Sequence, residues 1–392
     1  MFRMLLSGLA ALLLFASGCS EDADPAPAPS PEPPARLPEP TFDPDYVSSD
    51  YSADGEVVVL QRAKEGRGID LVLMGDAYTD RMVANGVYMR MMKQMAEAFF
   101  SEEPYRTFRR LFNVYAVKVV SPHEVVAEGK RTALGVTFGE GTVIDGDHET
   151  VAAYAQRVPE LQGNVERLNE LVVLVLVNQI RWAGTCYPWG PFSLADGETL
   201  LEGDYGRGFS ITYSTYLDAE DLVYTVVHEA SGHGFAKLAD EYYYEDDTRI
   251  PDDVRETQLA YQYYGYWRNL DYTGDLARCA WSRYLADERY AGADLGYYEG
   301  GDYYARGVWR SSMQSLMLYT EGGFNPISRE TIYRRIHKLA YGDEWQFDYE
   351  TFVQYDAVNR SRKLHALRRP QPPHGPLAPP RWLDRTRPLL AE

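Results

Sequence analysis

The sequence predicts an α/β fold: a mixed, partly parallel sheet, one helix that carries the chemistry, and long loops rich in Tyr and Gly. Three observations predict it. Residues 69–74 and 171–177 are nearly continuous apolar runs of strand length, the pattern of strands buried on both faces. Strand-like and helical segments alternate along the chain. Residues 218–239 combine an apolar helical stripe with two histidines and a glutamate.

The elements follow in order. Residues 1–18 read as a lipoprotein signal peptide, with Arg3 ahead of an apolar run from Met4 to Ala16 that is too short to span a bilayer comfortably. The stretch Ala16-Ser17-Gly18-Cys19 resembles the bacterial lipobox, which implies that Cys19 is lipidated and becomes the new N-terminus. Residues 19–50 read as an acidic, Pro-rich linker. They hold nine prolines between Pro25 and Pro44 and cannot bury a core. These features predict a cell-envelope protein, lipid-anchored to the outer membrane and either periplasmic or surface-exposed. Membrane contact is expected through the lipid alone.

The body is expected at 51–359. Glu56 to Gln61 is β-prone, and Ile69 to Met74 forms a strand that turns at Gly75-Asp76, with Asp76 as a structural turn residue. Asp80 to Phe100 is helical, and Leu111 to Val120 and Leu171 to Val177 are strands. In Asp218 to Ala239, Leu222, Val223, Val226, Val227 and Ala230 form one apolar face. Residues 240–310 are rich in Tyr, Gly and Asp and read as long loops with short helices. Ile327 to Leu339 is another helix. The Pro/Arg-rich tail, 360–392, is expected to wrap the surface or stay disordered.

Composition narrows the function. Of 392 residues, 45% are hydrophobic and 25% charged, as in a soluble globular chain. With 39 basic against 58 acidic residues, the net charge of −19 excludes nucleic acid as a natural partner. Three cysteines build no disulfide framework. If Cys19 carries lipid, Cys186 and Cys279 remain as a candidate disulfide in an oxidising compartment.

The informative stretch is His228-Glu229-Ala230-Ser231-Gly232-His233. In H-E-x-x-H helices the histidines stand at i and i+4 and share a face. Here the spacing is i+5, about 500° of regular helix, which leaves the rings roughly 140° apart. A π-turn of about 4.4 residues brings them back to within about 50°. Ala230, Ser231 and Gly232 are small enough to allow it. The spacing is similar to that in the zinc helix of dipeptidyl-peptidase III. A zinc site needs a third ligand and an open position. Asp240 is the candidate, with Glu241 as the alternative; the other carboxylate would then accept a histidine N–H. Further on, Ser315-Leu316-Met317-Leu318-Tyr319 resembles the Met-turn of metzincins. That places Met317 as an apolar floor under the ion and Tyr319 as an oxyanion donor.

Taken together, these residues resemble the IgA-peptidase family, bacterial zinc metallopeptidases related to metzincins. The resemblance lies in Ile69 through Thr79, in Phe112-Asn113-Val114-Tyr115, in Tyr187 after Gly184-Thr185-Cys186, and above all in His228 through Tyr242. The family usually shows H-E-x-x-H followed by L-x-D-E-Y. Leu238-Ala239-Asp240-Glu241-Tyr242 is kept here, but one residue is added between the histidines. The resemblance implies a metzincin-like zinc peptidase domain holding one catalytic Zn²⁺, with Glu229 as general base. An extracellular protein or glycoprotein would be the substrate, cut in endopeptidase mode. Tyr-rich loops such as Tyr242-Tyr243-Tyr244 would line the cleft. The rival is a catalytically degenerate surface lipoprotein that binds protein or glycan. Nothing in the sequence sets the oligomeric state.

Overall fold

The computed structural model describes residues 38–189, 203–318, 323–361 and 376–383. All belong to one compact unit, Leu37–Glu392. Cys19 and the expected signal peptide lie outside the described residues. Among the described residues, no helix is long and apolar enough to cross a membrane.

The strands of the first part are β1 (Val57–Gln61), β2 (Ile69–Asp76), β3 (Phe112–Val117), the two-residue pair β4 (Thr137–Phe138) and β5 (Ile144–Asp145), β6 (Val172–Ile180), β7 (Gly184–Pro188) and β8 (Ser210–Tyr216). Six of them make the main sheet, in the order β1-β3-β2-β6-β8-β7. β3, β2, β6 and β8 run parallel, with Leu71 level with both Val114 and Val172. The outer strands β1 and β7 are antiparallel to their neighbours.

Alternation explains the apolar runs. Leu71, Leu73, Val172 and Leu174 face one cluster; Val72, Met74, Val173 and Val175 face another on the opposite side. The first cluster receives the helix Val87–Phe99, the chemistry-bearing helix through Val226, Val227 and Ala230, and Ile332 and Ile336 of the helix Pro326–Tyr341. The second receives Val151, Ala152 and Ala155 of the helix His148–Ala155. A strand buried on both faces has no reason to alternate polar and apolar residues. Asp76 is structural: its Oδ1 accepts the Ser121 hydroxyl at 2.7 Å and the Ala77 N–H at 2.9 Å.

Four expectations are corrected. The helix expected over 80–100 is two helices, Asp80–Ala84 and Val87–Phe99, parted at Asn85-Gly86. The region 240–310 carries a second sheet: β9 (Tyr243–Arg249), β10 (Leu270–Asp271) and β11 (Tyr298–Gly301) all pair with β12 (Tyr303–Arg310). It also carries the helix Asp252–Tyr263. Residues 41–50, expected in the linker, are tied to the body: Ser48 donates to Ser121 O at 2.7 Å and Thr41 to Glu124 Oε2 at 2.7 Å. Finally, Cys186 and Cys279 form no disulfide. Both are free and buried, Cys186 on β7 and Cys279 in a separate apolar cluster with Trp281 and Phe352.

Candidate metal centre

The site helix begins where Asp218 caps it, its side chain accepting from the N–H groups of Glu220 and Asp221. It is a regular α-helix over Ala219–Val226 and then widens into a π-helix over Val227–Phe235. The Ala236 N–H reaches back five residues to Ser231 O at 3.2 Å, and Lys237 ends the turn with φ 52°. Lys237 Nζ donates to Gly234 O at 2.8 Å, satisfying a carbonyl at the end of the helix.

Widening does what the i+5 spacing requires. His228 Nε2 and His233 Nε2 stand 3.2 Å apart. Asp240 Oδ1 lies 3.1 Å from the first and 3.3 Å from the second. Each Nδ1 faces a backbone carbonyl: His233 that of Leu238 at 2.7 Å, His228 that of Leu316 at 3.4 Å. The Nδ1 protons are thereby committed, and both Nε2 lone pairs converge on a carboxylate oxygen. Three acceptors at that range repel one another unless a cation sits between them. A tetrahedral zinc with ligand bonds of about 2.0–2.1 Å has edges of about 3.3 Å. The residues present fit such an ion.

Burial favours neutral His228 and lowers its pKa, opposed by the Asp240 carboxylate. At His233 burial pulls down as well, but the Asp240 carboxylate outweighs it and raises the pKa: the buried charge calls for a cation, a proton on Nε2 or a metal ion in its place. Asp240 itself is held well below the carboxylate range, because the two imidazoles overcome the effect of burial. Glu229 is fully buried, and neither carboxylate oxygen has a hydrogen-bond partner. Burial pushes its pKa well above the ordinary value. An unpaired buried carboxyl at such a place is costly.

Two close approaches make the site possible. A Cβ on Gly184 of β7 would stand 2.9 Å from Glu229 Cγ. A Cβ on Gly232 would stand 2.5 Å from Met317 Sδ. Met317 therefore packs directly beneath the wide turn, and its carbonyl accepts the Glu241 N–H at 2.9 Å.

Asp240 is thus the carboxylate that joins the histidines. Glu241 turns away, accepting from Asn269 Nδ2 and Asn325 Nδ2, each at 2.9 Å. Tyr319 lies outside the described residues. Two neighbours gave no signal in the sequence. Tyr303 donates to Asp240 Oδ2 at 2.6 Å. Asn269 clamps both the N–H and the carbonyl of Ala239, the residue before Asp240.

Two histidines and an aspartate around one point, beside a buried glutamate, define a site of the hydrolytic metalloprotein class. The family profile described as IgA Peptidase M64 matches residues 57–258, just over half of the chain, and the match contains the whole triad and Glu229. The chain belongs to the IgA peptidase M64 family. No curated protein matches it closely enough to count as a relative.

Proposed function

We propose that the chain is a zinc-dependent, metzincin-like endopeptidase acting on extracellular protein or glycoprotein. One observation carries this reading: the triangle of His228 Nε2, His233 Nε2 and Asp240 Oδ1, with edges of 3.1–3.3 Å, beside an unpartnered Glu229. His228, His233 and Asp240 would hold the ion. Bound zinc supplies Lewis acidity, polarising a carbonyl and acidifying water. Glu229 then takes a proton from the attacking water and delivers it to the leaving amine. Neither of its oxygens is engaged by another group, which leaves them free to take and return that proton. His233 is kept in one orientation by Leu238 O, and Asp240 by Tyr303. Met317 would form the apolar floor of the ion, and Tyr319, two residues on, the oxyanion donor. The Tyr242, Tyr244 and Tyr303 rings, packed within 5.6 Å of one another, support an aromatic wall beside the ion.

The test is elemental analysis with a casein cleavage assay on soluble protein starting near Glu21. One zinc per chain is expected for wild type and Glu229→Gln, and none for His233→Ala. Cleavage is expected from wild type alone. A Glu229→Gln variant as active as wild type would refute the proton-transfer role.

We further propose that Cys19 is lipidated and that residues 20–37 tether the peptidase to the outer membrane. Acyl labelling that disappears in Cys19→Ser is the expected result.

A further inference from the structure

The metal centre is closed: His228, Glu229 and Asp240 are 0% exposed and His233 1%. A peptide bond reaches Glu229 only if something in front of it moves. The described part of the tail, residues 376–383, packs against residues that flank the triad.

Leu377 is 1% exposed and packs into a pocket of Trp182, Tyr224 and Leu217. The Tyr224 ring stacks on His228, centroids 5.9 Å apart and planes 17° apart. The Leu377 carbonyl accepts the Tyr242 hydroxyl at 2.9 Å, two residues beyond the ligand Asp240. From there the segment follows the outer edge of β7. Arg381 N–H donates to Cys186 O at 2.9 Å and Leu383 N–H to Pro188 O at 3.2 Å. Both members of these pairs ascend together, so the segment runs parallel to β7. Trp382 packs against Tyr261, Tyr266 and Trp267, ring centroids 5.1–5.9 Å away.

β7 is an edge strand, and its first residue, Gly184, touches Glu229. The Gly184 N–H is taken by Thr142 O at 3.2 Å, so the stretch of this edge open to another segment is Cys186 to Pro188; such an edge near a proton-transfer group is a docking line for extended peptide main chain, with pockets selecting side chains. Here the chain's own segment supplies the main-chain donors and the side chain. Pro376, Pro379 and Pro380 keep it stiff and extended.

We propose that residues 376–383 occupy the enzyme's own substrate groove as a built-in competitor, and that the groove takes an extended peptide whose leucine-sized side chain fills the Trp182–Tyr224 pocket. This rests on the peptidase reading above. The atoms of the segment change no bond; it acts by occupancy alone.

The test uses the soluble full-length body, loaded with zinc, as wild type, Leu377→Asp and Arg381→Pro. The first change puts a charge in the apolar pocket; the second removes the N–H given to Cys186. Both are expected to keep one zinc and to cleave casein at least tenfold faster than wild type. An added octapeptide with the sequence of 376–383 should then inhibit them by raising KM with kcat unchanged. Cleavage by both variants at or below the wild-type rate, with zinc retained, would overturn the inference and leave the peptidase reading standing. If no form cleaves, the peptidase reading fails. The fluorescein-labelled octapeptide then decides: anisotropy that rises with Leu377→Asp but not with wild type supports occupancy, and no rise with either overturns it.

Discussion

Tyr303 donates its hydroxyl proton to Asp240 Oδ2 at 2.6 Å, while Oδ1 of the same carboxylate faces both histidines. One oxygen thus faces the candidate metal position and the other is held by the second sheet. The grip is reinforced by Asp302 N–H, which donates to Asp240 O at 2.9 Å. Partners of ligating carboxylates typically contribute about 10–100-fold in metal affinity. Tyr303→Phe is therefore expected to weaken zinc binding about tenfold in a chelator competition titration, with no loss of secondary structure by circular dichroism. Unchanged affinity would show that Asp240 is oriented by its backbone alone.

Gly184 gives a second prediction. An added Cβ would meet Glu229 Cγ and Oε1, both at 2.9 Å, and neither histidine is among its nearest neighbours. If Glu229 is the proposed proton-transfer group, Gly184→Ala should keep one zinc per chain and lower kcat at least tenfold, because displacing such a group by a fraction of an ångström disrupts alignment. Zinc loss in this variant would contradict the separation of the two roles.

Asp302 sets a pH dependence. Burial pushes its pKa up to about 7, with the Asp240 charge adding to the rise and hydrogen bonds from Tyr272 and Gln258 opposing it. Between about pH 4 and 7 the folded chain holds a proton that the unfolded chain has released. Stability from this group is full below pH 4 and is lost as pH rises through 7. Asp302→Asn cannot ionise and also suits the left-handed φ of 49° at this position. Its melting temperature should exceed that of wild type at pH 8, by an amount worth on the order of a few kcal/mol, with the gap closing toward pH 4. A gap independent of pH would rule out Asp302 as the titrating group.

The thiols give a fourth. Burial holds the Cys186 thiol well above its usual pKa and raises that of Cys279 to about 11. Protein beginning after Cys19 should show no reaction with a thiol reagent when native and two equivalents when unfolded. Reductant should leave the melting temperature unchanged. A drop on reduction would restore the disulfide.

Much of the site was legible because its signals are local. The Asp218 cap, the stripe from Leu222 to Ala230 and the five-residue histidine spacing all act within a few turns, and the π-turn follows from them. Asp240 was legible because it follows the helix closely. The second sheet was not. β9 reads Tyr-Tyr-Glu-Asp-Asp-Thr-Arg, with no alternation, and exists because β12 pairs with it. Tyr303 and Asn269 reach the Asp240 loop across 63 and 30 residues of sequence, which no local pattern encodes. The disulfide expectation failed for a related reason: a count of cysteines carries no distances.

The wide turn also bears on how such sites are found and how they change. An extra residue in a regular helix rotates everything after it by about 100°. Here the surplus is absorbed within Val227–Phe235, so Val226 before it and Ala236 after it both still face the same core. Removing one residue between the histidines would return them to the four-residue spacing on an ordinary turn. The two spellings of the motif stand one codon apart, and a search written for a fixed spacing separates proteins that the geometry keeps together.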